Sequence, residues 1–180
     1  MKNLIIAAVA VSALGLAAAP ASAQVIGAPS AYVNLGYSHI DPSGLGGIGT
    51  VTGRLGARFG SYFGVEGEGG FGVFSDKGTT AAGVAYRNWV KHQVAGYAVG
   101  YLPITPAFDL FVRGGYGNTL VGSSVGSLSS SLSRDSWNYG VGTQYFFTGG
   151  TGLRVDYTRN DYRNGAGHAD ILGASFVQKF

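Results

Sequence analysis

The sequence of 180 residues contains no cysteine, which excludes a disulfide framework and a thiolate metal site. Charged residues are also scarce, at 12% of the chain, whereas an average soluble domain carries about 25%. The formal net charge is +3, and the few basic residues form no cluster. The charge distribution therefore does not indicate binding to nucleic acid, and we expect no nucleic-acid partner.

Long hydrophobic runs are missing as well, except at the N-terminus. Beyond residue 23, no apolar stretch approaches the roughly 20 residues that a transmembrane helix needs. At the N-terminus, Lys2 precedes an apolar run over residues 4–16. A positive start followed by a short apolar run is typical of a secretory signal peptide.

The end of this N-terminal stretch has the pattern of a cleavage site, because Ala21-Ser22-Ala23 reads small-x-small. We therefore predict a cleaved signal peptide over residues 1–23 and a mature domain over residues 24–180. The alternative is an uncleaved membrane anchor, since the apolar stretch is just long enough to span a bilayer.

Apolar residues and glycine are abundant. Hydrophobic residues make up 46% of the chain, and there are 32 glycines. A water-exposed surface would be hard to build from so few charged residues. The composition therefore indicates that part of the surface faces lipid.

The mature chain divides into eight segments that are rich in Val, Tyr, Phe and Thr and are bounded by Gly, Pro, Ser, Asn and Asp. No segment has the pattern of a helix. Most of the segments contain the 9–11 residues that a tilted membrane strand requires. The predicted strands are 31–40, 48–60, 63–74, 89–102, 107–118, 136–147, 152–160 and 169–180.

The connections between these strands alternate in length. Short connections lie at 60–62, 103–106 and 148–151, and the longest are 75–88 and the serine-rich 119–135. Short turns at one end and long loops at the other are typical of an up-and-down barrel of the outer-membrane kind. An even number of strands then places both termini at the short-turn end, which is the periplasmic side.

Alternation along the strands separates apolar from charged side chains. In the strand 48–60, Val51 and Leu55 share one face, and Arg54 and Arg58 share the other. A soluble barrel would place the charges outside, but they are too few to solvate an outer wall. We interpret the apolar face as facing lipid and the charged face as lining the lumen. The same division recurs in the predicted strands 63–74, 107–118 and 152–160.

The inward charges are expected to pair with one another. An eight-stranded barrel has room inside only for packed side chains, and an unpaired buried charge would cost several kcal/mol. We therefore predict an ion-pair network in the periplasmic half of the lumen. Its predicted members are Arg54, Arg58, Glu66, Glu68, Asp109, Arg113, Arg154 and Asp156.

The aromatic residues fit this scheme imperfectly. The strand 89–102 is weakly amphipathic and is oriented by its aromatics alone, which places Tyr97 and Tyr101 on the lipid-facing side and Val94 opposite them. Four other aromatics fall on the inward parity, namely Tyr32, Phe74, Phe111 and Phe146.

Several stretches of the chain resemble a known family. They are 32–37 (YVNLGY), 63–68 (FGVEGE), 113–117 (RGGYG) and a final strand that ends in Phe180. They are similar to the small eight-stranded outer-membrane barrels, which include the OmpA-type transmembrane domain, OmpX and the opacity-protein-like surface antigens. The resemblance covers essentially the whole mature chain. It implies an all-β, eight-stranded antiparallel up-and-down transmembrane β-barrel in the bacterial outer membrane.

In that family, the last strand ends in an aromatic residue and is read by the barrel-assembly machinery. Phe176 and Phe180, together with Leu172 and Ala174, match this pattern, whereas Gln178 departs from it. The resemblance therefore implies two kinds of partner, namely outer-membrane lipids and, during biogenesis, the barrel-assembly machinery.

Some small outer-membrane barrels are enzymes that act on lipid A, and a deacylase of that kind uses a His, Ser and Glu set on the outer wall. The deacylase His-x-Ser-Asn arrangement is missing at His39, His92 and His168, and Glu66 and Glu68 fall on the inward parity. The histidines follow no metal-ligand spacing. We therefore predict no enzymatic activity, no cofactor and no metal site.

The function predicted from the sequence is that of an integral outer-membrane protein with a structural, surface-exposed role. It would support envelope integrity, present loops to a possible surface ligand, and have a plugged lumen. The segment 123–136 is either an adhesive or receptor-binding loop or a solvated, mobile loop. Three other functions stay open: a narrow porin-like channel, a lipid-A-modifying enzyme and a soluble secreted barrel.

Overall fold

The computed structural model describes residues 29–42, 47–79, 83–126 and 128–180. The predicted signal peptide, residues 1–23, lies outside them. All regular structure in the described residues is β-strand, and no helix among them is long and apolar enough to cross a membrane. The strands are β1 (Ser30–Pro42), β2 (Ile48–Phe59), β3 (Phe63–Phe74), β4 (Asp76–Thr79), β5 (Ala85–Thr105), β6 (Phe108–Val125), β7 (Leu128–Thr148), β8 (Thr151–Tyr162) and β9 (His168–Lys179).

The strands form one closed antiparallel sheet. Each strand pairs with its neighbour along the chain, except that β3 and β4 follow one another along the same side of β5. Pairing between β1 and β9 closes the circle. Because β3 and β4 share one position beside β5, the nine strands fill eight positions around the barrel, and we call each position a stave. The predicted all-β, eight-stranded antiparallel barrel is confirmed.

The two ends of the barrel differ. One end carries the short turns 60–62, 106–107 and 149–150, and it also holds the start of β1 and the end of β9. The other end carries the remaining connections between the strands. We call the first the near end and the second the far end.

The two long loops predicted at the far end are wrong, because most of these residues are paired strand. β6 and β7 pair without interruption up to Val125 and Leu128, and serines face one another across the ladder. Gly126 has a φ of 59°, the left-handed conformation that a tight hairpin turn needs and that glycine adopts without strain. The serine content suggested a loop, but the alternating Val and Leu residues give the segment a strand pattern.

These extended strands form a four-stranded sheet that rises beyond the rest of the barrel. We call it the protruding sheet. It consists of β4, residues 85–90 of β5, residues 119–125 of β6 and residues 128–135 of β7.

The two faces of the barrel wall have opposite chemistry. The outer wall is apolar: Leu55, Val112 and Leu172 are each exposed over at least 60% of their surface. The inner wall holds the buried charges in the near-end half, where apolar side chains are interleaved with them, and a second apolar layer lies toward the far end. The near-end layer is Tyr32, Tyr97, Val99, Tyr101, Phe111, Phe146 and Val177. The far-end layer is Ile40, Ile48, Val90, Ala169 and Ile171.

The predicted orientation of the strand 89–102 is wrong. Tyr97 and Tyr101 point inward and are each 5% exposed, whereas Val94 faces outward. The ring of Tyr97 lies 4.4 Å from the guanidinium carbon of Arg113, and the ring of Tyr101 lies 4.3 Å from that of Arg58. The inward tyrosines are therefore stacking partners for buried cations, which a rule that turns aromatics toward lipid does not foresee.

The predicted inward position of Phe74 is also wrong, and a bulge explains it. Gly49 pairs with Phe74 and Thr50 pairs with Gly72, so Val73 is an extra residue in β3. One inserted residue reverses the alternation of faces. Phe74 consequently lies on the outer wall, edge-on to Tyr37 at 6.3 Å between ring centroids. Tyr32, Phe111 and Phe146 do point inward.

Two adjacent glycines in β6 provide a test of these faces. A Cβ at Gly115 would meet the backbone of Gly96 and the ring of Tyr97 at 2.7 Å, whereas a Cβ at Gly114 would meet nothing within 4 Å. We expect Gly115→Ala to destabilise the barrel by about 1–3 kcal/mol through overpacking. Gly114→Ala should be neutral or slightly stabilising. Urea unfolding in lipid vesicles measures both, and equal effects would contradict the assigned faces.

Candidate functional site: the ionic layer of the lumen

Eight charged side chains meet inside the barrel, and alternation along four strands brings them there. The structure places all eight candidates from the sequence on the inner wall, each no more than 8% exposed. Four are arginines and four are carboxylates, so their formal charges cancel. We call this set the ionic layer: Arg54 and Arg58 from β2, Glu66 and Glu68 from β3, Asp109 and Arg113 from β6, and Arg154 and Asp156 from β8.

The centre of the ionic layer is a network that joins opposite walls. Arg54 donates from Nε to Glu68 at 2.7 Å and from its two terminal nitrogens to Asp156 at 3.1 and 3.2 Å. Arg113 bridges the same two carboxylates, at 2.9 Å to Glu68 and 2.8 Å to Asp156. Two arginines and two carboxylates therefore close a ring across the lumen.

A second arginine–carboxylate pair extends this ring. Arg154 donates from both terminal nitrogens to the two carboxylate oxygens of Glu66, the second at 3.1 Å. Its Nε lies 3.5 Å from Asp156, and Glu66 lies 3.8 Å from Arg113. The bidentate geometry is the stronger form of ion pair, and it fixes the orientation of both partners.

The remaining pair lies closer to the near end. Arg58 donates to Asp109 at 2.7 Å and also to the carbonyl of Ser61 in the β2–β3 turn. Gln144 donates to the same Asp109 oxygen at 2.8 Å. Lys179 approaches this oxygen at 4.0 Å from the end of β9. This pair ties the charged interior to the turn and the closing strand.

Aromatic rings pack against the guanidinium groups. Besides the two tyrosines of β5, the ring of Phe111 lies 3.9 Å from the guanidinium carbon of Arg154. Tyr32 donates to Glu66 at 2.9 Å and shares a hydrogen bond of 2.7 Å with Tyr101. A guanidinium that stacks on a ring and pairs with a carboxylate interacts through a face and through its edge at the same time.

A polar shell completes the site toward the far end. Arg113 donates to the hydroxyl of Thr158 at 3.0 Å from Nε. Asn138 donates to the hydroxyl of Tyr97 at 3.1 Å, and Gln93 approaches Glu68 at 3.4 Å. Arg113 and Glu68 therefore have neutral partners in addition to their counter-ions.

Sequence reasoning did not include this aromatic and amide shell in the site. The sequence prediction places Tyr97 and Tyr101 on the opposite face and includes neither Gln93 nor Asn138. The available signal is alternation: Gln93 shares the inward face of β5 with Tyr97 and Tyr101, and Asn138 shares the inward face of β7 with Gln144.

The two glutamates and the three histidines lie on opposite faces of the barrel wall. Glu66 and Glu68 are both held by arginines, whereas His39, His92 and His168 lie on outward-facing positions toward the far end. Among the described residues, no three His, Cys, Asp or Glu side chains are grouped so that they could hold a metal ion.

A model of the outer membrane protein beta-barrel domain matches residues 6–180. The chain belongs to this family. Its members are bacterial outer-membrane proteins, so the apolar outer wall faces lipid and the predicted location is confirmed.

Solved structures of small outer-membrane barrels share the fold. Ail of Yersinia pestis is 16% identical with a TM-score of 0.61, and the match covers 84% of this chain and 99% of Ail. OprG of Pseudomonas aeruginosa is 10% identical with a TM-score of 0.65, covering 84% and 95% of the two chains. The N-terminal barrel domain of OprF from the same organism is 12% identical with a TM-score of 0.61, covering 84% and 97%. No curated protein matches the sequence.

Aromatic and charged residues mark where the lipid-facing wall ends toward the far end. The rings of Tyr116 and Trp137 meet edge-on at 5.1 Å. On the neighbouring strands, Arg159 lies 3.4 Å from Asp161 and 3.5 Å from Asp170. Such aromatic belts lie at the headgroup level in membrane barrels.

The ionic layer predicts unequal costs for two carboxylate substitutions. Glu68→Gln keeps the size of the side chain but removes the charge that Arg54 and Arg113 share, and breaking a buried pair in this way costs about 3–5 kcal/mol. Asp161→Asn is the matched control, because its exposed pair with Arg159 should contribute about 0–1 kcal/mol. Unfolding free energies in vesicles measure both. Equal losses would mean that the lumen is well hydrated.

The lipid-facing wall predicts a depth-dependent cost of charge. Val155→Arg places a cation at mid-height on the outer wall and should cost about 2–4 kcal/mol. Leu132→Arg adds the same charge in the protruding sheet, where a surface substitution should change stability by about 0.5 kcal/mol or less. The same unfolding assay in vesicles compares the two variants. If Val155→Arg is tolerated, Val155 does not lie at the mid-height of the lipid-facing wall.

Proposed function

We propose that this protein is a plugged, non-conducting scaffold of the outer membrane whose protruding sheet is its interaction surface. The observation that carries the proposal is the closed ring of ion pairs across the lumen. This ring joins β2 and β3 on one side to β6 and β8 on the other. It therefore acts as a cross-brace and as a plug at the same time.

The charge balance of the ionic layer supports the plug. An ion entering the lumen would have to displace arginine–carboxylate pairs that already satisfy one another. Four positive and four negative side chains leave no net charge to attract an ion of either sign. The apolar side chains packed among the charges and the apolar layer toward the far end oppose hydration of the path.

The protruding sheet supports the surface role. The far end lies opposite the near end, where both described termini of the barrel and the short turns lie, and in this architecture the far end faces outside. Ail, which shares the fold, has been crystallised with the heparin analogue sucrose octasulfate. A surface ligand is therefore part of the proposal for this chain as well.

The last strand supports a role for the barrel-assembly machinery as a partner during biogenesis. Phe176 and Phe180 lie on the outer face and are exposed over 65% and 79% of their surface, in line with Leu172 at 60%. A receptor that pairs with this strand would find all three side chains on one side.

A narrow pore is the second candidate, and the polar shell of the lumen favours it. The Asn34 amide, the Ser175 hydroxyl and the Asn160 carbonyl oxygen are buried without a hydrogen-bond partner among the described residues. Buried polar atoms of this kind usually bind ordered water. A hydrated chamber inside the lumen could become a path if the ionic layer opened.

Conductance in planar bilayers separates the plug from the pore. We expect the refolded protein to show no steady channels. The double variant Arg54→Ala with Glu68→Ala removes one ion pair of the ring and leaves Arg113 paired with Asp156, and it should produce conductance steps. Arg159→Ala with Asp161→Ala removes an exterior pair and should stay silent.

Each outcome of that experiment has a clear reading. Steady channels from the unmodified protein would support the pore and contradict the plug. Silence of the double variant would show that this pair does not block the path. For the proposed absence of catalysis, altered lipid-A mass spectra on expression of the protein would be the contradicting result.

A further inference from the structure

A cleft lies at the base of the protruding sheet, at the point where β8 stops. β8 pairs with β7 only from Ser136, so within the described part of the chain the edge of β7 is open over residues 128–135. The β8–β9 connection lies beside this edge, and the N–H of Arg163 donates to the carbonyl of Asp135 at 3.0 Å. The cleft has a volume of about 500 Å³, within the range of about 300–1,000 Å³ that is typical of small-molecule sites.

The side chains that line the cleft are mostly polar. Besides Leu132 and Ala166, the lining consists of Ser133, Arg134, Asp135, Arg163 and Asn164. These polar side chains offer a hydroxyl, a carboxylate, an amide and two guanidinium groups, which together both donate and accept hydrogen bonds. The lining therefore suits a ligand whose surface also does both.

Two of these side chains are held in place by a neighbour on β6. Asn118 donates from its amide to Ser133 at 2.8 Å and to Oδ1 of Asp135 at 2.7 Å, and the hydroxyl of Ser133 lies 3.1 Å from the amide oxygen of Asn118. The ladder between β6 and β7 is uninterrupted here, so the three side chains stand on a regular sheet. The second carboxylate oxygen of Asp135 forms no hydrogen bond with the described residues and is available to a ligand.

An exposed indole lies next to these polar groups. Trp137 follows Asp135 on the same face of β7, about 6.8 Å further along the strand, and is exposed over 61% of its surface. Its ring meets Tyr116 edge-on, and the Tyr116 hydroxyl accepts a hydrogen bond from Arg163 at 3.4 Å. The face of an indole carries partial negative charge, which attracts the weakly positive C–H groups on one side of a sugar ring.

The charges at the cleft are mixed. Arg134 and Arg163 are cationic, but the carboxylate of Asp135 lines the same space. A phosphate or sulfate group at the arginines would also have to approach this carboxylate. The hydroxyl groups of a neutral ligand instead donate to the carboxylate and accept from the guanidinium groups, and such charge-assisted hydrogen bonds are the strong ones. The lining therefore favours a neutral ligand that is rich in hydroxyl groups.

We propose that this cleft binds a neutral hexopyranose unit of a glycan. The ring hydroxyls would hydrogen-bond to Asp135, Arg163 and Asn164, and the C–H side of the ring would lie against Trp137. A hexopyranose combines hydroxyl groups that donate and accept with one weakly apolar face, which is the combination that the cleft presents. The inference rests on the proposed surface role, and it specifies the chemical class of the surface ligand and the residues that bind it.

Two sources of such a sugar lie within reach of the cleft. Trp137 and Tyr116 belong to the aromatic belt, which lies at the headgroup level of the membrane. The sugar is therefore either the headgroup of a glycolipid in the outer leaflet or a unit of a free glycan outside the cell. The chemistry of recognition is the same for both, and the experiment separates them.

The test uses the full refolded chain in nanodiscs of phosphatidylcholine, with both tryptophans replaced by fluorotryptophan. The probes are the methyl glycosides of glucose, galactose, mannose and N-acetylglucosamine, each titrated to about 100 mM because one sugar unit should bind with a Kd on the order of 1–10 mM. We expect at least one glycoside to shift the fluorine resonance of Trp137 saturably. The resonance of Trp89, which does not line the cleft, should stay in place.

A second set of nanodiscs, which contain monoglucosyl diacylglycerol, separates the two sources. If the membrane lipid occupies the cleft, these discs shift the Trp137 resonance before any glycoside is added. If a free glycan is the ligand, the resonance moves only on titration. Either result supports the sugar site.

One carboxylate variant and one control variant test the assigned contact. Asp135→Asn keeps the size of the side chain but removes the charge that accepts the sugar hydroxyls, so the Kd should rise about tenfold or more. Asp41→Asn removes an exposed carboxylate of β1 at the far end, on another stave, and should leave the Kd unchanged. Both variants should migrate as folded barrels on unheated gels.

Sorbitol provides a control that needs no variant. It carries the hydroxyl groups of a hexose on an open chain, so it lacks the ring face that would lie against Trp137. We expect sorbitol to leave the Trp137 resonance in place at the concentrations at which a glycoside shifts it.

The proposal is overturned if neither the glycosides nor the glycolipid discs move the Trp137 resonance, if sorbitol moves it as much as a glycoside does, or if Asp135→Asn binds as tightly as Asp41→Asn. These outcomes are separate from those of the bilayer experiment. A conducting barrel that binds a glycoside through Asp135 would contradict the plug and leave the sugar site. A silent barrel with an inert cleft would contradict the sugar site and leave the plug.

Discussion

Closure of the sheet is the constraint on which the rest of this structure depends. In lipid, every main-chain polar group needs a partner within the protein, and a closed barrel meets this requirement by leaving no edge in the membrane. The pairings of β1 with β9 and of β3 with β5 provide that closure. Eight staves enclose a space that only side chains can fill, so the content of the interior is decided by which residues alternate inward.

The interior combines two solutions to the problem of burying charge. Each guanidinium meets carboxylate oxygens at its edges, and three of the four also meet a ring at a face. Burying an ion pair does not by itself stabilise a protein, because the desolvation of both charges offsets their attraction. Its value here is that it fixes the distance between opposite staves. The tyrosine hydroxyls extend this bracing to the near end, where Tyr32 links Glu66 to Tyr101.

Period-two alternation was enough to predict the fold class, the order of the staves and the inward face of β2, β3, β6 and β8. It failed where one residue breaks the period, as at Val73, and where a side chain has two chemical characters, as at Tyr97. Composition misled at residues 119–135, because serine is common in loops but pairs well across a regular ladder. The partners across the lumen could not be read from the sequence, because Arg54 meets Asp156 only through closure of the barrel. The open edge of β7 depends on where β8 stops, which no local pattern records.

The position of the two tryptophans has a consequence for watching this barrel fold. Trp137 lies in the far-end aromatic belt, and Trp89 lies at the base of the protruding sheet. Both indoles must therefore cross the full thickness of the hydrocarbon if the chain enters the bilayer from the near-end side. Their fluorescence emission would stay at long wavelength while the hairpins are only adsorbed to the bilayer surface. Quenching of the two indoles by probes at different depths of the bilayer would change last. The intrinsic tryptophan fluorescence of this protein consequently reports the completion of insertion and not its onset.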